Sequence, residues 1–322
     1  LARLLRWLLG LECAAYATLL YAASRQALAW PAALAIVVVG HLTLRCAVVP
    51  LGVVVAWSVD PGLRARPLRP AAALRAFAGE CAAVWWNYVL APFEPWLRPP
   101  APASASAPEN ATPEIVLVHG ILCNRVAWRP FSSALARLGI ATRAVNLEPL
   151  LGSLDAMADA LAATLEGRAC RRPALLVAHS IGGLVVRRLL QRRPDLPLAG
   201  VVTIATPHHG AAQAAFLPAP AARAMCRGSV WLAMLERGPP PPPQLPRLAI
   251  RSVHDELVSP ADSARWNGAR ELVVDAVGHV ALLSDARVIA AVVAQIRALG
   301  PCAATPLAGA TIDPSAVCEA QG

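Results

Sequence analysis

Residues 175–190 read LLVAHSIGGLVVRRLL, and the reading of this stretch decides the fold. Its first part is an unbroken apolar run of strand length, and from Ile181 onward the residues suit a helix. Ser180 stands at the corner between them. A strand that turns at once into a helix places its corner residue on a strained, exposed bend. The small neighbours Ala178, Gly182 and Gly183 let the helix pack close to the strand. That is the setting a nucleophilic serine needs. An ordinary strand-to-helix connection in a parallel sheet also favours small residues, so the rest of the chain must supply a base, an orienting acid and oxyanion donors.

On both sides of this corner the texture alternates between strand and helix. Strands are expected at 114–118 (EIVLV), 141–146, 174–178, 200–204, 248–252 and 271–274. Helices are expected at 129–138 with Pro130 in the first turn, 153–166 with Ser153 as N-cap, 181–191 and 285–299. Strands separated by helices of this length imply an α/β fold: a doubly wound, mostly parallel sheet with right-handed crossovers. Sites in such sheets lie at the carboxyl ends of the strands.

Several groups with chemistry sit at those ends. His119-Gly120-Ile121 follows the first strand, where the glycine permits a tight turn that aims the Ile121 N–H into the site. The Ile181 N–H, at the positive end of the helix after Ser180, points to the same place, and together the two form an oxyanion hole. His119 is assigned to holding the loop. Asp255 is the first acid after the strand at 248–252, where it can take a histidine N–H, fix the tautomer and stabilise the imidazolium. Glu256 competes but points the other way along an extended turn. His279, after Gly278, lies on the loop leaving the last strand and can reach Ser180 as general base. Asp275, His208 and His209 are read as structural.

The order Ser180, Asp255, His279 is that of an α/β-hydrolase triad. From about 113 to 300 the chain resembles a small α/β-hydrolase of the bacterial triacylglycerol lipase and esterase type. The stretches that carry the resemblance are IVLVHGI, VAHSIGG, TIATPHHG, VHDELVSP and GHVALL. It implies Ser180 as nucleophile, Asp255 as orienting acid, His279 as general base and then acid, and the Ile121 and Ile181 amides as oxyanion donors. It implies neither a metal nor an organic cofactor. The sequence departs from G-x-S-x-G in having Ala178 for the first glycine, and alanine is small enough for the elbow. Residues 1–112 lie outside the resemblance.

Residues 211–246 form an insertion over the strand ends. Its apolar side chains, Phe216, Leu217 and Trp231 among them, suit a lid or an acyl-binding surface, or else a buried helix pair. Pro239 to Pro243 act as an extended spacer.

The N-terminal part has a different character. The 322 residues are 57% hydrophobic with a mean hydropathy of +0.50, which places some of the chain in a membrane. Apolar runs at 7–23, 27–44 and 46–58 read as two spans, or as one span and a long helix kinked at Pro50, with Glu12 out of place in the first. Six of the nine Trp fall in the first 98 residues, as expected for rings at the headgroup layer. Residues 71–90 read as a helix lying on the membrane surface or docking on the enzyme domain. The organisation expected is therefore membrane-anchoring helices at 1–98, a Pro/Ala/Ser linker at 99–112, a catalytic domain at 113–300 and a tail at 301–322. Arg3 and Arg6 precede the apolar hairpin, and Arg45, Arg64, Arg66, Arg69 and Arg75 follow it. The positive-inside rule puts the catalytic domain on the cytoplasmic side of a bacterial inner membrane.

The net charge of +9 comes from arginine alone and is spread along the chain, so no basic stripe points to nucleic acid. Eight cysteines without a CxxC give no structural zinc site. Cys302 and Cys318 either close a loop in the tail or stand as separate thiols. The function expected is a membrane-associated serine hydrolase cleaving lipid or acyl carboxylic esters. Acyl transfer or thioester hydrolysis by the same triad is one alternative, and a silent scaffold on the same fold is another.

Overall fold

The branched run EIVLV forms β1 (Glu114–Val118), and five more strands complete one sheet with it: β2 (Thr142–Val145), β3 (Ala174–His179), β4 (Leu198–Ile204), β5 (Arg247–Ser252) and β6 (Arg270–Val274). The sheet order is β2-β1-β3-β4-β5-β6 and every pairing is parallel. The computed structural model describes residues 1–25, 29–97, 113–149, 152–166 and 172–300. The linker at 99–112 and the tail with Cys302 and Cys318 lie outside the described residues. Val118 pairs with both Val145 and Ala178, and His179 pairs with Ile204, so the carboxyl tips of four adjacent strands end level. The strand order reverses between β1 and β3, which opens a crevice where a doubly wound sheet places its site.

Among the described residues five helices precede the sheet: α1 (Ala2–Arg25), α2 (Trp30–Cys46), α3 (Val48–Val59), α4 (Pro61–Arg64) and α5 (Pro70–Leu90). Six more flank it: α6 (Arg129–Arg137), α7 (Leu154–Glu166), α8 (Ile181–Arg192), α9 (Pro220–Met225), α10 (Val230–Arg237) and α11 (Ala286–Ala298). Alternation along β1 divides the core. Val116 and Val118 join Leu161, Leu184 and Val185 of α7 and α8 on one face, and Ile115 and Leu117 join Phe131, Leu135 and Val292 of α6 and α11 on the other. Covered on both faces, β3 is buried along its whole length.

Among the described residues α1 alone is long and apolar enough to cross a membrane, and α2 with α3 passes the same test as a pair bent by 41°. The bend falls at Ala47, and Pro50 sits in the first turn of α3, where a missing N–H costs no helical hydrogen bond. Glu12 is not alone in its apolar helix. Its carboxylate accepts from Tyr16 (2.7 Å), from His41 Nδ1 (2.9 Å) and from Arg45, and Trp85 of α5 donates to His41 Nε2 (3.2 Å). The cluster ties α1, α2 and α5 together, as expected of an ionisable group in apolar surroundings.

The helix at 71–90 packs against the part of the chain that carries the sheet. Glu80, Val84 and Asn87 of α5 are buried, and Asn124 donates to the Ala91 carbonyl (2.9 Å). Asp60 caps α4 and also accepts from Ala261 N (2.7 Å). The N-terminal helices thereby meet the carboxyl end of the sheet.

Candidate active site

β3 ends at His179 and α8 starts at Ile181, which leaves Ser180 alone on the corner with φ 56° and ψ −131°. A residue with a Cβ pays about 1–3 kcal/mol to stay in such a region, and it remains there only where its surroundings hold it. Here Ser180 N donates to Ile204 O (2.9 Å) and Ser180 O accepts from Gly183 N (3.0 Å). α8 lies so close to the end of β1 that a Cβ on Gly182 would stand 2.6 Å from the His119 carbonyl oxygen.

The turn after β1 runs against the serine: a Cβ on Gly120 would lie 2.9 Å from Ser180 Cβ. His119 fixes this turn. Its Nε2 accepts from Leu147 N (3.0 Å), so Nδ1 carries the proton and donates to Gly120 O (2.8 Å). Burial lowers its pKa to about 4, which keeps the ring neutral. Ile121 follows in the turn and Ile181 opens α8, so both amides border the serine.

Asp255 lies in the loop after β5, its Oδ1 held by Leu257 N (2.9 Å) and Val258 N (2.8 Å). His279 Nδ1 is 2.9 Å from Asp255 Oδ2 and 3.1 Å from Oδ1. The carboxylate can only accept, so Nδ1 holds the proton and Nε2 is left as a base. Burial of His279 opposes its protonation, but the charges of Asp255 and then Glu80 outweigh burial and hold its pKa above the usual 6.5. Among the described residues no hydrogen bond joins Ser180 Oγ to His279. Both side chains face one cavity, and such contacts tighten when substrate binds.

That cavity measures about 360 Å³ and is mostly apolar. Phe216, Leu217 and Met225 form one side of it, and Val48, Leu51 and Val55 of α3 form another. Trp231 is not brought there. Its indole N–H donates to Asp155 Oδ2 (2.8 Å) between α10 and α7, so the polar edge of the ring is committed on the flank of the domain. His208 bonds Thr203 (3.1 Å) and stacks on Trp266 at 5.0 Å, beside the cavity wall.

The sequence reading missed three features of this site. His179 contacts the His279 carbonyl through Nε2 (3.1 Å), with the two rings 4.6 Å apart. Helices α3 and α5 wall the cavity. Glu80 reaches the His279 loop, and the one trace of it in the sequence is that it is the only acid between 70 and 90.

A positive-φ serine between a buried parallel strand and its helix, facing an aspartate-bound histidine from later strands of the same sheet, defines the α/β-hydrolase class. The serine hydrolase family profile matches residues 115–287, more than half of the 322, and the chain belongs to that family. No curated protein matches it. Among solved structures it is similar to Bacillus licheniformis lipase BlEst2 in mature form, at 18% identity and TM-score 0.53, over 62% of this chain and 99% of that one. It is also similar to Aspergillus fumigatus lipase B, at 14% identity and TM-score 0.50, over 66% of this chain and 63% of that one. At these identities the likeness is one of fold.

Proposed function

We propose that this serine hydrolase cleaves carboxylic esters with apolar acyl groups, at a membrane, through the triad Ser180, His279 and Asp255. The observation that carries the proposal is the strained Ser180 in the same apolar cavity as the Asp255-bound imidazole. His279 Nε2 takes the hydroxyl proton as Ser180 Oγ attacks the ester carbonyl, and the Ile121 and Ile181 amides bind the oxyanion. The same proton passes to the departing alkoxide, leaving an acyl-enzyme. Water then attacks that carbonyl, its proton going to His279 and back to Ser180 Oγ as the free acid leaves.

The cavity walls suit an acyl chain and offer little to a charged one. Leu51 and Phe216 both line the cavity and are both strongly exposed, as are Leu44 and Val54 on the α2 and α3 surfaces. An apolar face continuous with the site favours substrate taken from a bilayer, with α1 and the bent α2–α3 pair as anchor. The arginine distribution favours the cytoplasmic side.

Labelling by a fluorophosphonate probe tests the chemistry. Wild type is labelled and hydrolyses p-nitrophenyl esters, and Ser180→Ala does neither. A folded wild type that resists the probe ends the proposal. Flotation with anionic vesicles tests the location, and a panel of ester, thioester and alcohol acceptors separates hydrolysis from transfer.

A further inference from the structure

Beside the triad two carboxyl side chains lie buried against each other, Glu80 from α5 and Glu256 from the loop after β5. They grip three consecutive amides. Glu256 Oε2 accepts from His279 N (3.2 Å), Glu80 Oε1 from Val280 N (2.8 Å) and Glu80 Oε2 from Ala281 N (2.8 Å). These amides open the short 3-10 helix Ala281–Ser284, and a helix start with unpaired N–H groups favours an acid. The fit is tight, since a Cβ on Gly278 would stand 2.5 Å from Glu80 Oε2. An apolar residue at 80 would suit the rest of α5 but leave two amides without partners.

We infer that Glu80 is a positioning residue for the general base: with Glu256 it fixes the backbone of His279, Val280 and Ala281, and so places the imidazole toward Ser180. The residue that completes the base's support therefore comes from the N-terminal helices, outside the 115–287 stretch that matches the family. This rests on the triad proposed above.

The charges around the pair agree with this role. Burial raises the pKa of both carboxyls, and for Glu256 the neighbouring charges of Glu80 and Asp255 raise it further. Both carboxyls are thus harder to ionise than ordinary ones, Glu256 more strongly, and Glu80 takes two of the three amide N–H groups. Around His279 stand Asp255 and Glu256 after β5, His179 and Ser180 at the end of β3, and Glu80 from α5. Around Glu80 stand Glu256 and Cys81, with Cys46 against Cys81, and His254 and Arg66 line the cavity behind them. Glu80 contributes to raising the His279 pKa, so its neutral replacement lowers it.

The experiment uses the full chain in detergent or nanodiscs, a p-nitrophenyl ester as substrate, and Ser180→Ala and His279→Ala as references. For Glu80→Gln, kcat falls about 10- to 100-fold, as when a reacting group is misplaced by a fraction of an ångström to an ångström. KM stays within about threefold, because Glu80 makes no substrate contact. The midpoint of the acid limb of kcat/KM moves to lower pH. Gly278→Ala, which displaces the same carboxyl from the opposite side, lowers kcat in the same way. Folding of each variant is verified by thermal melting. Variants that fold but keep the wild-type kcat, or that lose kcat without moving the midpoint in Glu80→Gln, overturn the inference. If Ser180→Ala and His279→Ala lose activity while Glu80→Gln keeps it, the inference alone fails. If those two references stay active, the triad fails first.

Discussion

A Cβ on Gly52 of α3 would lie 2.8 Å from the carbonyl oxygen of Glu256, so an N-terminal helix rests directly on the loop that bears Asp255. The same carbonyl accepts from Gln213 Nε2 (2.7 Å), which fixes it from the other side and leaves little room to yield. Gly52→Leu therefore lifts α3 from the sheet end. The expected cost is about 1–3 kcal/mol of stability, with loss of turnover as the Asp255 loop shifts. Thermal melting and kcat measured together check this, and an unchanged kcat would mean that α3 does not rest there in solution.

In the proposed mechanism the Asp255–His279 couple sets the pH response. With its pKa held above 6.5, His279 is protonated and inactive as a base at pH values where an ordinary imidazole is already neutral. The acid limb of kcat/KM in wild type accordingly has its midpoint above 6.5. Asp255→Asn removes the charge and the tautomer control, and kcat drops by about 10⁴-fold while the midpoint moves down. A pH–rate profile of the two proteins decides this.

The Glu80–Glu256 pair sets a stability response of the opposite kind to most carboxylates. Both folded-state pKa values are raised above 4.5, Glu256 most strongly. A raised folded pKa means that the stabilising contribution is fully present below the unfolded value and is lost as pH rises through the folded one. Glu256→Gln, neutral at every pH, should gain in Tm relative to wild type as pH rises above 4.5. Asp155, Glu271 and Asp285, whose arginine contacts lower their pKa, give the reverse trend in both proteins and cancel in the difference. A Tm difference that is flat with pH would mean that Glu256 ionises freely.

The parts of this site that are local in sequence are legible there. Ser180 is announced by a strand run, small neighbours and a helix within a dozen residues, and Ile121 by the glycine beside it. Asp255 and His279 are singled out by a weaker rule, as an acid and a histidine on later strand ends, and the structure brings them within 2.9 Å of each other. Trp231 misleads because apolar composition does not tell whether α10 reaches the cavity at all. The indole N–H has a carboxylate partner on α7, and that partner draws the ring away from the site. Glu80 escapes because its partners are 200 residues away, and nothing in the apolar pattern of α5 says what a lone acid there will meet. The glycine at 52 is silent for the same reason.

The cavity wall yields the last prediction. Leu51 and Val48 of α3 line the same cavity as Phe216, Leu217 and Ser180, so bulk added on α3 shortens the room for an acyl chain. Val48→Trp should move the preferred chain length of p-nitrophenyl esters toward shorter acyl groups, with the largest loss of kcat/KM for the longest. One methylene of lost apolar contact is worth about 0.8 kcal/mol, close to fourfold in rate per carbon no longer accommodated. Trp231→Phe gives the contrast. It removes the hydrogen bond to Asp155, costing about 1 kcal/mol of stability, and leaves the chain-length profile in place because that ring stands outside the cavity. A shift with Trp231→Phe and none with Val48→Trp would place the acyl chain on the α9–α10 side and take α3 out of substrate binding.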